Sequence, residues 1–219
     1  MSFTPAVSLT SQIADHIGRQ IIAGDLQARE RIQELRIAKE LGVSRGSVRE
    51  ALLILESRAL VEILPRRGAV VSGLGIDDIS ELADISVCVS QTLFRRLAEH
   101  IRRTRDVNLV EIERAVNVAK CASEQDSLEE FIDAKFALVR ASLQLIGSTY
   151  LKRMIEDLMP SWYRIAVIAH RHPRAEIRDG GRYTCALWEA VRSYDIERVD
   201  ELVGAFGRRE ARMAQEALS

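Results

Sequence analysis

With 219 residues the chain has room for one large domain or two small ones, and 47% hydrophobic and 29% charged residues with only 12 Gly and 4 Pro exclude disordered, collagen-like and low-complexity classes. Aromatic residues at 5% and scarce turn formers weigh against sandwiches and barrels, so a mainly α protein is expected. A balance of 31 Lys and Arg against 32 Asp and Glu gives a formal net charge of −1, which excludes a wholly basic coat for nucleic acid or membrane; the segment to Gly73 holds 10 basic and 8 acidic residues, a surplus of +2, and the remainder carries −3.

Ile13, Ile17 and Ile21 step by four between Ser8 and Ala23, and Gly24-Asp25 supplies a stop, which predicts a first helix. Leu35, Ile37, Ala38 and Leu41 predict a short second helix over Gln33 to Leu41, ended by Gly42. Ser44 has N-cap chemistry, and Val48, Ala51, Leu52 and Leu55 carry a third helix to about Ser57. Val61 to Leu64 and Ala69 to Ser72 are β-prone runs around Pro65-Arg66-Arg67-Gly68, a hairpin in which Gly68 can supply φ > 0. Gly73-Leu74-Gly75 reads as a linker, so residues 1–73 and 74–219 are expected to be separate domains. Beyond it, Asp77 or Asp78 can cap a long amphipathic helix carried by Ile79, Leu82, Ile85, Val89, Leu93, Leu97 and Ile101. Helical patterns then cover Leu109 to Ser123, Leu128 to Leu145, Tyr150 to Ala169 with Pro160 as a kink, Ile177 to Arg192 and Ile196 to Ala217, an all-α bundle of six to seven helices.

Cys88, Cys121 and Cys185 are odd in number and widely separated, so they form no disulfide framework or CxxC motif and are expected to be reduced core thiols. The first residues lack a basic leader region, since the first Arg is Arg19, and no apolar run approaches the roughly 18 residues of a membrane span. A cytoplasmic location is therefore expected.

Two short helices joined across Leu41-Gly42-Val43-Ser44, with a helix before them and an Arg-tipped hairpin after, form the pattern of a winged helix-turn-helix. Ala38 is small where the helices cross, Gly42 turns the chain, Val43 plugs the core, and the third helix is left with its N-terminus outward, as entry into a major groove requires. Its first turn, Ser44 to Arg49, offers the guanidiniums of Arg45 and Arg49 to guanine edges or phosphates, the hydroxyls of Ser44 and Ser47, and free backbone N–H groups. Arg66 and Arg67 could reach the backbone or the minor groove. Taken singly, Arg45 and Arg49 would read as a solvated helix face and Arg66-Arg67 as charge that keeps a hairpin edge soluble; the turn, the capping serine and the wing together favour DNA.

The stretch ELRIAKELGVSRGSVREALLILESRALVEILPRRGAVV resembles the GntR family of bacterial transcription regulators in its pattern of ELA, LGVSR, VREAL, GLV and RRG. The resemblance implies DNA-contacting roles for Arg45 and Arg49, phosphate or base contacts for Ser44 and Ser47, and the wing glycine for Gly68. The chain departs from the family at Gly46-Ser47, where Thr-Pro is common, at Leu35, where a polar or basic residue often meets DNA, and at Ala28-Arg29, where Pro-Gly is usual. An all-helical segment after such a domain resembles the FadR subfamily with its FCD-type sensing domain, which binds effectors and forms the dimer.

Many members resembling this one hold a divalent metal with an Asp, a His four residues later, and two further His spaced 22 apart. Gapless alignment puts Lys135, Val139, Thr184 and Phe206 at those positions, and Ser86 and Ser90 where the family has Arg and Glu. Val and Phe offer no donor to a metal, so no metal or other cofactor is expected. Lys135, with Ser86 and Thr184 as companions, is expected to hold an anionic effector in place of the missing cation, although a lone helical lysine would otherwise be read as snorkelling to solvent. His170 and His172, beside Pro173 and Arg174, read as a polar interhelical loop, and Trp162, Tyr163 and Trp188 as either pocket or core. The chain has no GxSxG, HExxH, Walker loop or GxGxxG, so an enzyme is not expected. The expected function is a homodimeric, ligand-responsive transcription repressor reading a palindromic duplex operator. The alternatives are a ligand-independent structural DNA-binding protein and an enzyme with a DNA-recruiting domain.

Overall fold

Ser8 opens the first described helix: its Oγ accepts the Ser11 N–H at 3.1 Å and satisfies one of the donors that a helix N-terminus leaves free. The computed structural model describes residues 8–172 and 176–219; the opening seven residues of the segment read as leaderless, and Pro173 and Arg174, lie outside the described residues. The chain divides between Leu74 and Gly75 into two compact units.

The first unit holds α1 (Leu9–Ala23), α2 (Glu34–Leu41), α3 (Arg45–Ser57), β1 (Val61–Leu64) and β2 (Gly68–Val71). The isoleucines at positions 13, 17 and 21 form the buried face of α1, and they join Val48, Leu52 and Leu55 of α3 with Leu60 and Val71 in one core. Gly42 closes α2 at φ +65°, a left-handed conformation that glycine adopts without a Cβ penalty, and the Val43 N–H returns to the Ala38 carbonyl at 3.0 Å. The hairpin is antiparallel with Val61 opposite Val71 and Leu64 opposite Gly68, so β2 begins one residue earlier than its β-prone run, where the register needs a partner for Leu64. The polar connection after α1 also joins this hairpin: the Arg29 N–H donates to Val71 O, the Val71 N–H to Glu30 O and the Ile32 N–H to Ala69 O, each at 2.9 Å. The small sheet therefore has a short third edge.

The second unit is a bundle of α4 (Ile76–Arg103), α5 (Val110–Glu124), α6 (Leu128–Ile146), α7 (Thr149–His170), α8 (Ile177–Arg192) and α9 (Ile196–Leu218), six helices among the described residues. The cap of α4 differs from expectation: Gly75 is the N-cap, and the Asp78 carboxylate three residues on accepts the Gly75 N–H at 2.8 Å. Helix α7 passes through Pro160 as one element. Helix α4 packs against α9, α5 against α6 and α8, and α7 against α9. Leu93, Leu97, Ile112, Phe131, Ile132, Ile155 and Val199 form the centre of the bundle. The cysteines are not core thiols: Cys88 and Cys121 are exposed and Cys185 is half-buried, because on α4, for example, position 88 falls off the stripe that buries Ala83, Val89 and Leu93. Among the described residues, no helix is long and apolar enough to cross a membrane.

Gly180 and Gly181 let α8 approach its neighbours closely. A Cβ on Gly180 would stand 2.9 Å from Cε1 of the fully buried Phe131, and one on Gly181 would stand 2.6 Å from Cβ of Ser123. Gly180→Ala gains about 1 kcal/mol of helix propensity, but it overpacks a ring with nowhere to move, at a cost of about 1 to 3 kcal/mol. A lower urea midpoint with unchanged slope is the expected outcome of equilibrium unfolding.

Candidate nucleic-acid interface and effector cavity

The N-terminus of α3 is built by Ser44, whose Oγ accepts the Ser47 N–H at 3.0 Å and lies 2.9 Å from Ser47 Oγ. This cap fixes the first turn with Ser44 exposed and Ser47 half-buried. Arg45 Nε donates to Glu34 Oε2 at 2.7 Å, and Arg49 Nε lies 3.5 Å from Glu34 Oε1. One carboxylate at the start of α2 thus holds two guanidiniums one turn apart on α3. Glu34 is 15% exposed, and the arginine side chains are 64% and 68% exposed.

These side chains form one wall of an open groove of about 910 Å³ between α3 and the hairpin. Arg31, Glu34, Arg45, Arg49, Arg66 and Gly68 line it, four arginines against one acid, so the groove is strongly positive although the chain as a whole is not. Exposed Leu35, Leu53 and Ile63 give it apolar patches. At the hairpin tip the Arg67 N–H donates to Leu64 O at 3.2 Å, with Arg66 at φ +63° and Gly68 at φ +78°. The left-handed turn was legible at Gly68 but not at Arg66. Arg67 is exposed at the tip and does not line the groove. Sequence reasoning missed Glu34 and Arg31. Glu34 carried only the ordinary signal of an acid in a helix's first turn, and Arg31 lies between α1 and α2, where no periodicity marks it.

The second unit holds a half-open cavity of about 110 Å³ lined by Ser86, Lys135, Val139, Thr184 and Phe206 among others, so every position that alignment gave to metal ligands faces the same space. Their chemistry does not fit a metal: an ammonium, an isopropyl group, a phenyl ring and a hydroxyl that donates to Gly180 O at 2.9 Å. Among the described residues, no group of three His, Cys, Asp or Glu is arranged to hold an ion. The Ser86 hydroxyl likewise donates within its helix, to Leu82 O.

Lys135 has a partner that the sequence did not reveal. Its ammonium donates to the Glu210 carboxylate, both side chains being 15% exposed, and lies 5.1 Å from the Phe206 ring centroid. The charge expected to hold an anionic effector is therefore already matched, and an anion would have to displace Glu210 to use it. Beside the pair, His170 is a buried helix end rather than a loop residue: its Nδ1 is 2.9 Å from Ala166 O and 3.5 Å from Glu210 Oε1. Burial lowers its pKa from the ordinary 6.5, and the positive charges of Lys135 and Arg209 act the same way, while Glu210 and the Ala166 carbonyl act against them. Trp162 and Trp188 are buried in the bundle, and the Tyr163 hydroxyl donates to Asp133. Trp162 also lines the cavity, and its Nε1–H is the buried side-chain polar atom without a partner among the described residues.

Comparison with known proteins places both units. Residues 9–71 match the model of the gntR family of bacterial regulatory proteins, and residues 92–209 match the FCD domain. The gluconate operon transcriptional repressor of Bacillus licheniformis is 27% identical over 149 residues, 68% of this chain and 60% of that protein, so the match spans about 60% of that relative's length. Among solved structures, Escherichia coli McbR/YncC superposes with a TM-score of 0.82 at 21% identity, covering 98% of this chain and 100% of that one. A GntR regulator from Rhodococcus sp. RHA1 gives a TM-score of 0.70 at 20% identity, covering 93% and 96%. At these identities the likeness to the solved structures is one of fold.

The depressed pKa of His170 has a sign that can be checked. The unfolded chain takes up a proton near pH 6.5 and the folded one only lower, so the stability His170 contributes is complete above that pH and falls away as pH drops through the lowered folded value. Between pH 7.5 and 5.5 the urea midpoint of the protein is expected to fall more than that of His170→Gln; equal falls would show that His170 is not the group responsible.

Proposed function

The chain belongs to the GntR family of bacterial regulatory proteins, transcription regulators rather than enzymes, and carries an FCD domain; from that footing we propose that it is a cytoplasmic, homodimeric repressor that binds a palindromic operator and releases it on binding a small effector. The observation that carries this reading is the positive groove, in which Glu34 holds Arg45 and Arg49 one turn apart beside the capped end of α3. In this reading residues 1–73 bind DNA and residues 74–219 dimerise and sense. Ser44, Arg45, Ser47 and Arg49 enter the major groove, while Arg66, Arg67 and Gly68 bring the wing to the backbone or the minor groove. The two guanidiniums are mostly exposed while Glu34 is largely withdrawn from water, so each can present its free N–H groups to phosphate or a guanine edge with Glu34 still holding it in place. Leu35, 59% exposed in the groove, would then meet a thymine methyl.

One recognition helix makes few base contacts, and a dimer doubles both these and the phosphates neutralised. The effector site is the cavity bearing Ser86, Lys135 and Thr184. For the effector to switch anything it must bind more tightly to one arrangement of the paired heads than to another. The gluconate operon repressors among the relatives support the sign of regulation.

The direct test is to select fragments of the source genome on the purified protein at near-physiological salt and sequence what is retained. Enrichment of one palindrome is expected; retention without preference that vanishes as salt rises would leave only nonspecific phosphate binding. On the selected site, Arg49→Ala should weaken binding by about 1 to 3 kcal/mol and relax preference at one base pair. Arg66→Ala should weaken all sequences alike and lower the slope of log K against log salt by about 0.9, as for one phosphate contact.

A further inference from the structure

We propose that Arg31 is a DNA-contacting residue: the groove between α3 and the hairpin holds the single sugar–phosphate strand that separates a major groove from the minor groove beside it, and the Arg31 guanidinium donates to one of its phosphates. This rests on the reading of the first unit as DNA-binding and adds to it a residue and the part of the duplex that the residue meets.

The duplex dictates the occupant. With the first turn of α3 in a major groove and the hairpin tip at the adjoining minor groove, one strand of the backbone has to pass between them, because nothing else separates the two grooves. The side chains that line the space between α3 and the hairpin therefore face phosphate and deoxyribose rather than base edges. The composition of the space suits such a strand. Arg31 and Arg66 bring cations to the phosphates, while Leu53 and Ile63, 56% and 39% exposed, offer apolar contact to the sugar carbons.

Arg31 is placed for this role by three features. Its backbone is held against the hairpin: Arg31 bridges Val70 of β2, and on either side of it the Arg29 N–H donates to Val71 O and the Ile32 N–H to Ala69 O. Its side chain runs beside the hairpin turn, where a Cβ at Gly68 would stand 3.9 Å from Arg31 Nη2 and 4.0 Å from Nε. The residue is exposed, lines the groove and makes no ion pair among the described residues, whereas Arg45 and Arg49 are both tied to Glu34. Its five N–H donors are thus open to phosphate oxygens. A backbone fixed beforehand also reduces the freedom lost when the contact forms. Charge that only keeps a sheet edge from pairing would need none of this placement in the groove.

The test follows binding of the full chain by fluorescence anisotropy, in potassium chloride from about 50 to 200 mM, to a labelled duplex of mixed sequence and to the selected site. Arg31→Gln is expected to lower the slope of log K against log salt by about 0.9 for each bound head, so that the advantage of the unaltered protein shrinks about threefold per head across that range, with base preference unchanged. Arg31→Lys keeps the charge and should keep the slope. Arg36→Gln removes an equal charge from α2, outside the groove, where Arg36 Nε donates to Glu40 Oε1 at 2.7 Å, and should leave the slope in place. A neutral methylphosphonate walked along the selected site should find one position per half-site that weakens the unaltered protein but not Arg31→Gln. Thermal unfolding confirms that each variant is folded. An unchanged slope in Arg31→Gln, an equal fall in Arg36→Gln, or an altered base preference would overturn the assignment. Failure of the unaltered protein to bind either duplex would instead end the DNA reading itself, so the two failures are told apart.

Discussion

The ion pair between Lys135 and Glu210 sets the chemistry of the helical unit. It joins α6 to α9 with both side chains largely withdrawn from water. Removing one partner of a fully buried pair costs about 3 to 5 kcal/mol because the other charge is left uncompensated, and partial exposure reduces that figure without changing its sign. Neither group is therefore a free charge. On the same side of the bundle Phe206 of α9 stacks on Tyr183 of α8, with 4.1 Å between centroids. The three helices that the family resemblance would link through a metal are joined here by one ionic and one aromatic contact. His170, buried against the pair and held neutral by its surroundings, follows from the same arrangement.

A second carboxylate plays the opposite part in the first unit. Glu34 also meets two cationic side chains, but these are mostly exposed, so its hold on them is weak in free energy and strong in geometry. Long arginine side chains lose rotamer freedom when they bind. A partner that restricts them beforehand reduces that loss. The two carboxylates are equally withdrawn from water, at 15% exposure each; it is their partners that differ, the Lys135 ammonium being as buried as Glu210 while the two guanidiniums stand where water and salt reach them.

What was legible in the sequence was local. The Ser44 cap, the left-handed Gly42 and Gly68, the isoleucine stripe of α1 and the span Ile177–Arg192 of α8 all depend on residues within a turn or two of each other, where capping chemistry and periodicity act directly. The features that were not legible depend on distance along the chain. Glu34 meets Arg45 across the helix-turn-helix, Lys135 meets Glu210 through a separation of 75 residues, and Arg29 to Ile32 find their hydrogen bonds in a hairpin some forty positions on. A polar stretch without periodicity looks the same whether its backbone is bonded to water or to a strand. His170 was misjudged because its helix runs one residue beyond its apolar pattern, and that last residue is buried by α9 rather than by its own periodicity.

The positions where the chain departs from the metal-binding pattern also constrain one another. A lysine alone among Val139, Phe206 and Leu138 would hold an unmatched charge against an apolar wall; Glu210 matches it, and the pair is then too well matched to serve as a general cation. With no imidazole at positions 139, 184 and 206 the remaining wall has little to offer a polar ligand, since the one hydroxyl among them is bonded within its own helix. A cavity so neutralised selects by size and by what little polarity remains in it.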